Sequence, residues 1–73
     1  MEIIDVNGTK RNAKSIKKVV CKVHDAINGD EFMDKTYIEA QIVGKTGRVW
    51  TEWYPFERFV VMNPNLVIEN ASN

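Results

Sequence analysis

"TYIEAQIVGKTGRVWTEWY", residues 36–54, holds two runs of β-branched and aromatic residues on either side of a glycine-bounded turn. A hairpin over 37–54 is the direct reading. Placing the turn on Lys45-Thr46 sets Gly44 opposite Gly47 and fixes which side chains share a face, because a slip of one residue would turn every one of them over. One face then carries Ile42 with Val49, Ala40 with Thr51 and Ile38 with Trp53. The other carries Val43 with Arg48, Gln41 with Trp50, Glu39 with Glu52 and Tyr37 with Tyr54. The first face is apolar and is expected in the core, with Trp53 buried; the second is mixed, with Trp50 and Tyr54 expected at least partly exposed.

Beyond the hairpin, "PFERFVVMNPN" predicts a short helix near 56–62. Pro55 suits a first helical position, Phe56 with Phe59 and Val60 gives the i, i+3, i+4 spacing of one helix face, and Asn63-Pro64 stops the run. "LVIE" at 66–69 can return as a closing strand, with 69–73 as a frayed tail. Ahead of the hairpin, "EIIDV" at 2–6 reads as a strand ended by Asn7-Gly8, and Asn28-Gly29 gives a second turn signal.

Residues 13–27, "AKSIKKVVCKVHDAI", fit two structures. As an amphipathic helix packed on the sheet, they place Ala13, Ile16, Val19, Val20, Val23, Ala26 and Ile27 on one face and the lysines on the other, giving an α+β fold. As a strand from about 18 to 24, they use the β-branched valines where those side chains are favoured and pair with the Tyr37 strand. The strand is preferred. The expected class is therefore a small β-dominated single domain spanning 1–73, either a twisted antiparallel sheet or a barrel. Its element order resembles that of SH3-like barrels, although the chain has none of the acidic-aromatic or Pro-Tyr motifs of peptide-binding SH3 domains, so their ligand preference does not carry over.

Length and composition narrow the function classes. Seventy-three residues, 44% of them hydrophobic and 27% charged, suit one globular core and exclude a disordered chain. The lone cysteine, Cys21, rules out an internal disulfide framework, no basic-then-apolar leader opens the chain, and no apolar run approaches the roughly 20 residues that span a bilayer. A soluble, cytoplasmic protein is expected. The glycosylation-type strings Asn7-Gly8-Thr9 and Asn70-Ala71-Ser72 are read as chance matches on that ground.

Candidates for chemistry are few. Cys21 and His24 are three residues apart, which puts them on opposite faces of a strand or about 60° apart on a helix, so a thiolate nucleophile is not favoured. A structural zinc site needs about four nitrogen or sulfur ligands, and only these two are on offer. No glycine spacing matches a phosphate-cradling loop. Glu39 and Glu52, expected across strands from one another, form the one carboxylate pair of the kind used as general acid and base, but a chain of this size can hardly wall a sugar cleft around them. The expectation is no enzyme, no cofactor and no metal.

What remains is binding. Tyr, Trp and Arg dominate interface energetics, and Tyr37, Arg48, Trp50 and Tyr54, flanked by Glu39 and Glu52, share the expected open face. The leading reading is a non-catalytic module that binds a protein partner or a second copy of itself there; the alternative for the aromatics is a second layer of core under a helix or the N-terminal strand. A rival class is a nucleic-acid-binding barrel. Lys10, Arg11, Lys14, Lys17, Lys18 and Lys22 form a basic run with no acidic residue among them, and Lys14, Lys17, Lys18 and Lys22 are the expected phosphate contacts. Against that stands a net charge of zero, which removes long-range attraction to phosphate. In general character the chain is similar to small accessory proteins of phages and mobile elements.

Overall fold

A computed structural model describes residues 1–25 and 31–70. Strands β1 (Glu2–Ile4), β2 (Lys10–Asp25), β3 (Glu31–Val43) and β4 (Val49–Pro55) are followed by helix α1 (Phe56–Met62) and a two-residue strand β5 (Glu69–Asn70). The first four pair antiparallel in the order β1-β2-β3-β4 and curl into a half-barrel. β5 lies parallel to β2 beside Lys17 and Lys18, so the return of the chain after α1 ends in a strand shorter and later than 66–69. Residues 71–73 and the Asn28-Gly29 turn lie outside the described residues.

The β-dominated reading holds, and the helix over 13–27 does not form where the chain is described. One feature of the segment explains why a helical wheel fits it. β2 carries a bulge between Ala13 and Ser15, with Ala13 opposite Ile42 and Ile16 opposite Ala40. Lys14 is the extra residue, and it resets the alternation so that positions three apart, Ala13 and Ile16, both face the core. A bulge has produced a helical spacing. Farther along, Val19, Val20 and Val23 alternate across the sheet, as β-branched residues favour.

The hairpin over 37–54 forms with a register one residue away from the expected one. Ile42 faces Trp50, Ala40 faces Glu52, Glu39 faces Trp53 and Ile38 faces Tyr54. The turn is the cause. Gly44 N–H donates to Arg48 O at 2.7 Å and Gly47 N–H to Gly44 O at 3.0 Å, with Gly47 at φ +87°, so Gly44 opposes Arg48 across a three-residue loop closed by a left-handed glycine. A two-residue turn would have asked Lys45 and Thr46 for positive φ, which a β-branched threonine resists. The β1–β2 turn repeats the design: Asp5 N–H donates to Thr9 O, Gly8 N–H to Asp5 O, and Gly8 sits at φ +83°.

With that register the concave face buries Ile3, Ala13, Ile16, Ile38, Ala40, Ile42 and Tyr54, and α1 closes over it with Phe59, which is fully buried and stacks on Tyr54 at 5.6 Å. Burying each Ile or Phe is worth about 1.5–3 kcal/mol. α1 is held in place by Asn63 at its C-terminus. The Asn63 side chain accepts from Ile4 N–H at 2.8 Å and donates to Ile4 O at 2.7 Å and to Phe59 O at 3.0 Å. One amide thus occupies the outer edge of β1 as a neighbouring strand would.

Candidate functional site

The one-residue shift separates the six residues expected on one open surface. Tyr37 and Glu39 do lie on the convex face of β3, since their neighbours Ile38 and Ala40 point into the core. Trp50, Glu52 and Tyr54 turn inward instead, and Tyr54 is buried. Arg48 is an exposed turn residue opposite Gly44. Trp53, expected in the core, is 58% exposed on the convex face. Covering of these aromatics by other elements, the alternative weighed from the sequence, holds in part: Tyr54 is buried beneath Phe59 of α1 and Trp50 is half-buried, while Tyr37 lies on the convex face and Arg48 is exposed.

The inward residues build a polar network. Glu52 accepts from Trp50 Nε1–H at 2.6 Å through one carboxylate oxygen and from the Tyr54 hydroxyl at 2.7 Å through the other. Arg11 stands 3.8 Å from Glu52 and donates to Asp5 at 3.2 Å, and Asp5 also accepts the backbone N–H groups of Asn7 and Thr9 at 2.9 Å. The donors from Trp50 and Tyr54 hold the Glu52 carboxyl below its usual pKa against the opposing effect of burial. Burial acts on Asp5 the same way, and the hydrogen bonds from Thr9, Asn7 and Arg11 outweigh it. Burial and the adjacent Glu52 carboxylate push the Tyr54 hydroxyl well above the ordinary range. Such a network is fully satisfied, and among the described residues no buried side-chain polar atom lacks a partner. Through it one carboxylate, Glu52, holds two aromatic rings.

The carboxylate pair expected from Glu39 and Glu52 does not exist, because the two occupy opposite faces and Glu39 stands opposite Trp53. Glu39 instead pairs with Lys17 at 3.2 Å. Cys21 and His24 are both exposed and, three apart on a strand, project to opposite faces. His24 packs against Phe32 with ring centroids 5.2 Å apart. Among the described residues no three His, Cys, Asp or Glu side chains cluster as metal ligands would.

The four lysines of the rival reading do not line one surface. Lys17 is on the convex side with Glu39, Lys18 sits over the Phe56 ring at 4.7 Å, Lys22 pairs with Asp34 at 3.6 Å and Lys14 occupies the bulge. A different basic feature appears that the linear run hides: Lys10, Arg11 and Lys45 line an open cleft with Trp50 and Gly44 as part of its wall. A Cβ on Gly44 would come within 2.8 Å of the Trp50 ring, so the glycine leaves the room that the indole takes.

The convex face is open as well. Across β2, β3 and β4 it runs Val19–Tyr37–Pro55, Lys17–Glu39–Trp53, Ser15–Gln41–Thr51 and Asn12–Val43–Val49, with Gln41 and Thr51 joined by hydrogen bonds of 2.9 and 3.2 Å. Trp53 has an ion pair beside it, and no described element covers it. Sequence reasoning missed it through the turn, where Lys45-Thr46 followed by a glycine already argued for the three-residue loop. Comparison with known families, with characterised proteins and with solved structures returns no match. No helix among the described residues is long and apolar enough to cross a membrane.

Proposed function

We propose that the protein is a non-catalytic interaction module that takes a protein partner on the convex sheet face around Tyr37, Glu39 and Trp53. The observation that carries this reading is Trp53, an indole 58% exposed at the side of a rigid sheet and framed by the Lys17–Glu39 ion pair. A large aromatic ringed by polar groups is the usual anatomy of an interface hot spot. The single exposed thiol and the small size fit a cytoplasmic accessory protein, such as phages and mobile elements encode.

A partner seated on Trp53 should shield it from iodide and should be lost with Trp53→Ala, while Trp50→Phe, on the concave side, should retain binding. The measurement is cross-linking of tagged wild type and both variants in cells that make the protein, followed by identification of the cross-linked chains. A partner retained in full by Trp53→Ala would refute this surface. The nucleic-acid reading, as an SH3-like barrel, keeps support from the Lys10, Arg11, Lys45 and Trp50 cleft rather than from Lys14, Lys17, Lys18 and Lys22. Titration with single-stranded DNA and RNA at two salt concentrations separates the classes, since phosphate contacts weaken steeply with ionic strength and an aromatic protein contact does not.

A further inference from the structure

The two edges of the sheet are finished differently. At one edge β1 is closed by the Asn63 side chain and β2 by β5. At the other, no described strand pairs with β4 beyond β3. Free edges are normally blunted by lysine, proline or an inward charge left exposed. Between Val49 and Tyr54 the only charge is Glu52, which faces inward and is already bound by Trp50 and Tyr54. Pro55, the last residue of β4, has no N–H to offer and blunts that end of the edge; from Val49 to Tyr54 nothing else discourages a further strand.

We infer that the β4 edge pairs antiparallel with β4 of a second copy of this chain about a two-fold axis at Thr51, joining two half-barrels into one continuous sheet. The hydrogen-bond phase permits it. Gly44 and Arg48 form a bonded pair, and bonded pairs alternate along an antiparallel ladder, so Trp50, Glu52 and Tyr54 turn their backbone toward β3 while Val49, Thr51 and Trp53 turn theirs to the open edge. Centring the axis on Thr51 sets Thr51 against its own copy and Trp53 against Val49 twice, covering two side chains that are 58% and 46% exposed. It also brings Lys45 and Arg48 of one copy to the end where the other begins α1 with Glu57. The neighbouring registers are worse: one residue on, Glu52 would face Glu52, and one residue back, Trp53 would face Gly47. The chain has no net charge to oppose the approach.

This inference deepens the interaction-module reading by naming a second copy as one partner, and its seam runs along the β4 edge, taking in Trp53 and Val49 at the border of the convex face. Sedimentation equilibrium of the wild type across a concentration series is expected to show a monomer–dimer equilibrium. Thr51→Pro removes an N–H that points to the open edge and is not used by β3; Val49→Lys places a charge in the seam. Each should raise the dimer dissociation constant at least tenfold with the circular dichroism spectrum unchanged, and Val49→Lys serves should Thr51→Pro fail to fold. In a Cys21→Ser background, Thr51→Cys should form an intermolecular disulfide on oxidation, since bonded pairs bring Cα atoms to about 5.5 Å. A wild type that stays monomeric to about millimolar concentration, or a dimer that persists in Val49→Lys, overturns the edge pairing. The convex-face reading would then stand or fall separately on the partner cross-linked through Trp53.

Discussion

From Asn12 to Val19, β2 is in a sheet at least three strands wide, with α1 packed on its β3 and β4 strands; from Val20 to Asp25 β3 alone of the described strands lies beside it. The residues record the difference. Ile38, Ala40 and Ile42 of β3 are buried, whereas Phe32 and Val20, farther out on the same paired strands, are 65% and 59% exposed. A two-stranded ribbon without a third strand or a helix is marginal in water. Strand length and core membership are therefore separate properties here: the body is held by packing, and the ribbon by continuity with it.

The strongest way to break the comparison is Phe59→Ala. It removes the side chain that stacks on Tyr54 and fills the concavity, and it should cost about 3–5 kcal/mol, enough to unfold much of a population this small in stability. Urea denaturation followed by far-ultraviolet circular dichroism measures it, and a loss under about 1 kcal/mol would mean that α1 contributes little to the body.

Next in size is Asn63→Ala, expected to cost about 1–3 kcal/mol because Ile4 would keep a backbone N–H and C=O in a half-buried place without partners. The same denaturation experiment applies, with Asn65→Ala as an exposed control that should change little.

Acid provides a third test. Glu52 and Asp5 have folded pKa values below their unfolded ones, so each adds stability that is fully present above about pH 4–5 and is lost as pH falls through the folded value. Tyr54 is raised, so its contribution is present below about pH 10 and is lost as pH rises beyond that. Urea midpoints from pH 2 to 8 should fall at the acid end, and Glu52→Gln should flatten part of that fall. An identical acid limb in Glu52→Gln would mean that the Trp50–Glu52–Tyr54 bonds do not differ between folded and unfolded chains.

The smallest effect belongs to the ribbon. Phe32→Ala should shift stability by no more than about 0.5 kcal/mol, as expected for a side chain already in water. Hydrogen exchange should show amides of Val20–Val23 and Met33–Thr36 opening well before those of Ile16 and Ile38–Ile42. Equal protection along both would mean that something unseen in the isolated chain covers the ribbon.

The class of fold and the β3 core face were legible because Ile38, Ala40 and Ile42 alternate with polar residues and a strand has only two faces. The β4 face was not, since Val49, Trp50, Trp53 and Tyr54 place apolar groups on both sides and only the turn chooses between them. That choice rested on Lys45-Thr46, where residue chemistry at positive φ carried the signal. The bulge at Lys14 misled the periodicity in the opposite way, by giving strand residues a helical interval. The polar network lay beyond reach from the linear chain, because it joins Asp5, Arg11 and Glu52 through three separate strands or turns. The open Trp53 surface follows at once when the register is right.

The Asn63 amide sets an order of assembly as the chain is made. β1 emerges ahead of the other described strands, but the group that completes its outer edge lies 59 positions later. At roughly 5–20 residues per second of synthesis, Ile4 waits about 3–12 seconds for that partner. Throughout that interval β1 offers an unguarded edge.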